Sequence, residues 1–297
     1  MKINDLSERQ LGYILIAPAL IFIFGIAIFP VFRTIWISLH NIDLRIIHLG
    51  TPFVGLDNYI AIFQEARFWN ALKNTLFFSF TSVSLEMFLG FGAALLVNRK
   101  FKGRSIVRAS VLIPWAIPTV ISGLIWRLLY NDQIGVINDI FLRLGFISES
   151  VSWIGNSSTA MWSVIVADVW KTTPFVTLLI LAGLQTIPKE LYESAKIDGA
   201  NKWQEFINIT LPLLKSSILV ALLFRILAAF KVFGLIDVLT SGGPSNSTES
   251  LSLYAHRLLF RNLNFGEGSV VSVMTFLGVL LISFIFVKIF NVDLSRK

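Results

Sequence analysis

Residues 193–212 read ESAKIDGANKWQEFINITLP, the most polar run between two long apolar segments at about 159–184 and 213–239. Hydrophobic residues nevertheless recur at helical spacing: Leu191, Ala195 and Ile197, then Trp203, Phe206 and Ile207. Gly199 interrupts the pattern. The stretch predicts two short amphipathic helices meeting at a bend, because glycine turns the chain there without steric cost. A polar helical hairpin at the end of a membrane bundle is a docking surface for something outside the membrane. The plainer alternative is an ordinary amphipathic loop lying in the interface.

Outward from that stretch, composition sets the class. Of 297 residues, 55% are hydrophobic and 14% charged, against about a quarter charged in soluble domains, and mean hydropathy is +0.73. The chain reads as a polytopic membrane protein forming a single domain over 1–297. Its 26 Phe and 8 Trp suit lipid-facing and interfacial positions. Cysteine is absent, which excludes a disulfide frame and a thiolate metal site.

Six spans are expected, at about 11–39, 72–97, 105–129, 159–184, 213–239 and 268–290, with the polar hairpin at about 186–212. The first is uncharged from Leu11 to Phe32, long enough to cross about 30 Å of hydrocarbon. It is too long for a signal peptide and has no convincing cleavage site. Pro18 and Pro30 are expected as tolerated kinks. His40 to Ala71 is expected as a polar loop containing the run from Val54 to Tyr59. In the second span Gly90, Gly92, Ala93 and Ala94 offer a surface for close helix packing, and Glu86 interrupts it. Pro114 and Pro118 fall in the third. Residues 131–158 read as a loop with some helix, and the fifth span stops at Ser241-Gly242-Gly243-Pro244. A polar loop is expected from there to Glu267.

The basic residues cluster after spans two and four and at the termini: Arg99, Lys100, Lys102, Arg104 and Arg108, then Lys189, Lys196, Lys202 and Lys215. The positive-inside rule therefore puts both termini and the hairpin in the cytoplasm. The net charge of +7 is membrane-flank charge and not a nucleic-acid-binding stripe.

No catalytic constellation stands out. His40, His48 and His256 lack metalloprotease spacing, and neither a nucleophile elbow nor a phosphate-cradling loop is present. A chain that moves solute with ATP but has no P-loop must borrow its ATPase. The informative charges are those inside the spans, each costly unless it faces protein or water. Asp168 and Lys171 share a helix face and can offset one another, with Thr172 and Thr173 alongside. Arg225 and Lys231 stand among Phe224, Phe230 and Phe233. Hydroxyl and charged groups with aromatic walls suit a sugar. Charges pairing between helices, with aromatics facing lipid, are the structural alternative. Counting Asp168 and Asp237 against Lys171, Arg225 and Lys231 leaves a surplus positive charge, so a carboxylate from a partner chain is expected.

These motifs carry a resemblance. Glu193, Ala195, Gly199, Ile209, Leu211 and Pro212 stand where the EAA loop of ATP-binding-cassette importer permeases has E-A-A-x3-G-x9-I-x-L-P, with Ser194 replacing the middle alanine and Asp198 and Ala200 flanking the glycine. Trp170-Lys171-Thr172-Thr173-Pro174-Phe175 is similar to the fourth-helix W-x-x-x-P-[FY] of carbohydrate permeases. Phe230-x-x-Phe233 with Leu239-Thr240-x-Gly242-Gly243-Pro244 resembles their fifth-helix ending. The chain therefore resembles the MalF-like permease subunits of carbohydrate importers, in particular the shorter trehalose, glycerol-phosphate and oligosaccharide permeases.

The resemblance implies an all-α, six-helix transmembrane bundle of the type I importer kind in a prokaryotic cytoplasmic membrane. It implies a transport subunit without its own ATPase and without a cofactor, ATP and magnesium being held by partner subunits. The expected partners are a second, MalG-like permease, two ATP-binding subunits, an extracytoplasmic substrate-binding protein, the carbohydrate and the lipid bilayer, with no nucleic acid. Coupling to the ATPase falls to Glu193, Ser194, Ala195, Asp198, Gly199, Ala200, Ile209, Leu211 and Pro212. Carried over by register, the sugar contacts are Lys171, Thr172, Phe175, Arg225, Ala228, Ala229 and Val232. A neutral disaccharide such as trehalose or maltose is expected, ahead of glycerol 3-phosphate or another anionic sugar derivative. An ion-coupled secondary transporter would want inverted repeats and has no use for residues 193–212. An intramembrane enzyme would need a nucleophile–base pair, and none is apparent.

Overall fold

The structure, a computed structural model, describes residues 7–99 and 101–289. Lys100 and the terminal residues 1–6 and 290–297, which carry part of the expected basic flanks, lie outside the described residues. Among those described there is no β-strand, only the isolated bridges His40–Phe53 and Asp43–Asn264. The chain divides into two compact units. One runs to Ala66 and includes Tyr254–Phe276; the other comprises Arg67–Leu253 and the residues from Leu277.

In the first unit, α1 (Glu8–Ile23) and α2 (Phe29–Ser38) join through a π-helical turn, Phe24–Ile28, into one span over Arg9–Ser38. Pro18 is absorbed inside α1. Pro30 stands in the first turn of α2, and its missing N–H goes with the widened π turn just before it. The most apolar stretch of this span has no residue buried within the chain, as expected for a helix whose solvent is lipid or another subunit. The segment expected as a polar loop is ordered: a 3₁₀ turn at Leu44–Leu49, then α3 (Asp57–Gln64). Asn58 Nδ2 donates to the carbonyls of Ser38 (2.9 Å) and His40 (3.0 Å), and Tyr59 Oη lies 2.8 Å from Ser38 Oγ. The Val54–Tyr59 run thus locks onto the end of α2.

Two of the second unit's helices run to 30 residues or more. Here α4 (Ala66–Asn98) is followed by α5 (Arg104–Ala116), α6 (Thr119–Leu129), α7 (Val136–Arg143) and α8 (Ser157–Thr186). The third expected span is not one helix: α5 and α6 meet at 95°. Pro118 forces the preceding Ile117 into an extended conformation (φ −72°, ψ 130°), which ends α5. The hairpin comprises α9 (Lys189–Ile197), α10 (Lys202–Glu205), a π turn at Phe206–Thr210 and α11 (Leu211–Leu213). The fifth expected span is also divided, into α12 (Lys215–Phe230) and α13 (Gly234–Leu239), with Phe233 off the helical region between them (φ −139°, ψ −69°). The chain continues through α14 (Leu251–His256) to α15 (Phe265–Ile289).

Small residues set how closely these helices approach. A Cβ on Gly90 would stand 2.7 Å from Val176 Cβ, and one on Gly183 2.2 Å from Ser217 Oγ. Those contacts bring α4 and α12 against α8. Ala94 joins Val176, Ile180 and Leu214 in the core there. Gly92 meets nothing within 4 Å, so only part of the expected small-residue surface is used inside the chain.

The expected polar loop after Gly243 is instead packed in. Thr248, Glu249 and Ser250 are fully buried. One face of α4 holds them: Arg67 donates twice to the Glu249 carboxylate (2.7 and 2.8 Å), and Asn70 and Asn74 donate to the Asn246 carbonyl (2.8 and 3.0 Å). The positions 67, 70 and 74 lie on one helical stripe.

Candidate functional site

Two places in the second unit collect the residues singled out from sequence. The first is the hairpin after α8. Glu193, Ser194 and Ala195 lie on α9. Asp198 caps it, and Gly199 follows at φ +81°. The Gly199 N–H donates to Lys196 O (3.1 Å) and the Ala200 N–H to Ala195 O (2.8 Å), the pair of bonds that closes a helix on a left-handed glycine. Asn201 then opens α10 with a capping box: its Oδ1 accepts from Gln204 N (2.9 Å) and Gln204 Oε1 accepts from Asn201 N (2.8 Å). Tyr192 Oη lies 2.9 Å from Thr210 Oγ1 and ties the two arms together. Ile209 lies in the π turn, Leu211 and Pro212 in α11.

The bend leaves apolar side chains uncovered. Ile197 is 87% and Trp203 70% exposed, on either side of Gly199. Large exposed apolar residues on a polar, capped hairpin have the character of partner-contact residues.

The second place is midway along α8. Arg225 of α12 forks onto the Glu86 carboxylate of α4: Nε donates to Oε2, and Nη2 to Oε1 at 2.8 Å. Nη2 also donates to Asp168 Oδ2 of α8 at 3.2 Å. Thr172 Oγ1 lies 2.7 Å from Glu86 Oε1 and 2.6 Å from the Asp168 carbonyl, its single proton shared between them. Glu86 is fully buried and Asp168, Lys171 and Arg225 nearly so. Burying such charges costs several kcal/mol per ion, roughly, unless they are paired and hydrogen-bonded, and here three helices supply the partners. With Glu86 included, two carboxylates face two cations. Glu86, left out of the sequence count, removes the surplus positive charge expected there.

The expected sugar contacts are therefore not all alike. Thr172 and Arg225 are engaged inside the cluster. Lys171 forms no ion pair within 4 Å among the described residues. Phe175 leads away from the charges into an aromatic row: its ring stacks on Trp115 of α5 at 6.0 Å between centroids and meets Phe224 of α12 edge-on at 6.4 Å. Ala228 is exposed, Ala229 buried, and Val232, half-buried, accepts from Ser250 Oγ through its carbonyl (2.7 Å). Of the three phenylalanines flagged with Arg225, only Phe224 joins this row. Phe230 is buried, its ring 2.7 Å from where a Gly278 Cβ would stand, and Phe233 packs on the core. Trp115 was not among the expected contacts. Its place beside Pro114, where α5 ends, was the available signal.

A unit of long apolar helices around a closed charge cluster, with a capped polar hairpin after its most buried span, has the build of a membrane permease. The chain belongs to the family described as binding-protein-dependent transport system inner membrane component, which matches residues 86–296. It is 47% identical over 283 residues to the trehalose/maltose transport system permease protein MalF of Thermococcus litoralis, covering 95% of this chain and 94% of that one. It is 39% identical to the sulfoquinovosyl glycerol transport system permease protein SmoG of Agrobacterium fabrum (96% and 92% covered). The trehalose transport system permease protein SugA of Mycobacterium tuberculosis is 38% identical (97% and 91% covered). In fold, the chain is similar to a solved bacterial ABC transporter involved in the import of the acidic polysaccharide alginate, with TM-score 0.83, 24% identity and 99% of each chain covered.

Proposed function

We propose that this permease forms one half of the membrane path of an ATP-driven importer for a neutral disaccharide such as trehalose or maltose. The observation that carries the reading is the closed cluster Glu86–Arg225–Asp168 with Lys171, which presents no net formal charge beside the row Trp115–Phe175–Phe224. A neutral polyol takes donors and acceptors from the one and ring stacking from the other. Relatives whose printed names include trehalose and maltose support the choice. An anionic sugar derivative such as glycerol 3-phosphate would find no cation to spare except Lys171.

The remaining half of the path comes from a second, MalG-like permease. Two ATP-binding subunits carry the ATP and magnesium, and one of them docks on this hairpin through Ile197 and Trp203, with Glu193, Ser194, Ala195, Asp198, Ala200, Ile209, Leu211 and Pro212 shaping the surface and Gly199 its bend. This chain holds no nucleotide of its own. An extracytoplasmic binding protein delivers the sugar. Both termini face the cytoplasm. Uptake competition in proteoliposomes with a panel of labelled sugars tests the substrate class: unlabelled trehalose or maltose displaces the label, and competition confined to anionic sugars contradicts the reading.

A further inference from the structure

We infer a second saccharide subsite, in the polar pocket beside the start of α8, that holds a neutral sugar before it reaches the charge cluster; the inference rests on the sugar-import reading above. The pocket has a volume of about 340 Å³, within the range of about 300–1,000 Å³ usual for small-molecule sites. Its walls come from the end of α6 (Arg127), the segment between α6 and α8 (Asp132, Ser152, Gly155) and the end of α13 (Thr240, Ser241). From Gly155 to Asp168 is about 20 Å at the rise of an α-helix, so the pocket is separate from the charge cluster.

The walls are already ordered. Asn138 of α7 clasps both ends of the α6–α8 segment. Its Nδ2 donates to the carbonyls of Asp132 (3.3 Å) and Val151 (3.0 Å), and its Oδ1 accepts from Val151 N (3.2 Å) and Trp153 Nε1 (2.8 Å). On the opposite wall Thr240 Oγ1 lies 2.7 Å from Thr248 Oγ1, and Ser241 Oγ donates to Asp237 O (2.9 Å). A pocket held this way loses little freedom when a ligand enters.

Against this fixed frame, the side chains of Arg127, Asp132 and Ser152 make no hydrogen bond or ion pair among the described residues. Gly155 keeps the Ser152 hydroxyl open, since a Cβ there would stand 2.4 Å from its Oγ. A guanidinium and a carboxylate line one pocket yet leave each other unpaired. An anion entering would meet Asp132 and a cation would meet Arg127. Adjacent hydroxyls of a neutral sugar satisfy both, donating to the carboxylate and accepting from the guanidinium.

The chain has no cysteine, so Ser152→Cys gives it a single thiol on the pocket wall. In the complete importer reconstituted in lipid nanodiscs, trehalose slows maleimide labelling of that thiol by about tenfold at ten times its dissociation constant. Glycerol phosphate gives no protection, and a thiol at Ser245 outside the pocket is labelled at the same rate with or without sugar. Adding Arg127→Gln with Asp132→Asn abolishes the protection. The inference is overturned if neither trehalose nor maltose protects Ser152→Cys while the same complex still imports the sugar, an outcome that leaves the proposed function standing. Loss of import of every neutral sugar by the unmodified complex, in contrast, removes the proposed function itself.

Discussion

Arg225 on α12 and Glu86 on α4, 139 positions apart in sequence, meet as a buried two-pronged ion pair, with the second prong shared with Asp168 of α8. Glu86→Leu leaves Arg225 with one shared acceptor and is expected to destabilise the permease by about 3–5 kcal/mol, the usual cost of stripping a partner from a buried charge. Replacing both, Glu86→Leu with Arg225→Leu, recovers most of that loss. Thermal unfolding of the purified complex in detergent, run as a double-mutant cycle, measures the coupling. Strictly additive losses would show that the two side chains do not depend on each other.

Gly199 is set at φ +81° with open space around its Cα, so its substitutions act through the backbone alone. Gly199→Ala places a Cβ in a left-handed conformation at a cost of roughly 1–2 kcal/mol, and Gly199→Asn costs less because asparagine tolerates that region. Gly199→Pro fixes φ near −65° and removes the N–H bonded to Lys196 O. Co-purification of the ATP-binding subunits is expected to fall in the order Asn, Ala, Pro. Equal recovery of the ATPase with all three would remove the bend from the docking surface.

The row Trp115–Phe175–Phe224 crosses three helices through Phe175. Each aromatic contact is worth about 0.5–1.5 kcal/mol beyond its buried area, so Phe175→Ala, which removes two, lowers transport efficiency roughly tenfold. Phe175→Tyr retains most of it. The measurement is initial uptake rate against the concentration of loaded binding protein, with ATPase co-purification as the check on assembly.

The hairpin was legible because its determinants, the glycine and the apolar spacing, are local and lie within 20 residues. The need for partners at Arg225 was also legible, from the cost of charge in an apolar helix. Which partner was not, since the Glu86–Arg225 contact depends on how α4 and α12 both dock on α8. Pro118 was visible, but an uninterrupted apolar run hid the 95° turn it causes. The buried segment after Gly243 read as a surface loop because its Thr, Glu and Ser are polar. Their burial depends on the stripe Arg67, Asn70 and Asn74, a pattern whose meaning appears only when its acceptors are in place.

Single cysteines report orientation. Thiols at Ser148, Ser157 and Ser245, all exposed positions, are expected to react with a membrane-impermeant maleimide from outside the cell. One at Lys202, on the exposed face of α10, reacts only after the membrane is opened. External labelling at Lys202 would reverse the orientation and separate the hairpin from any cytoplasmic ATPase.

ATP hydrolysis by the complete importer in proteoliposomes, with its binding protein loaded in turn with trehalose, maltose, glycerol 3-phosphate and a uronate, reads substrate, partners and coupling together. Trehalose or maltose should raise hydrolysis and drive accumulation of the same sugar inside the vesicles. Stimulation by glycerol 3-phosphate or the uronate, with no response to either neutral disaccharide, would contradict the reading of the Glu86–Arg225–Asp168 cluster, with Lys171, as a sugar-path wall of no net formal charge.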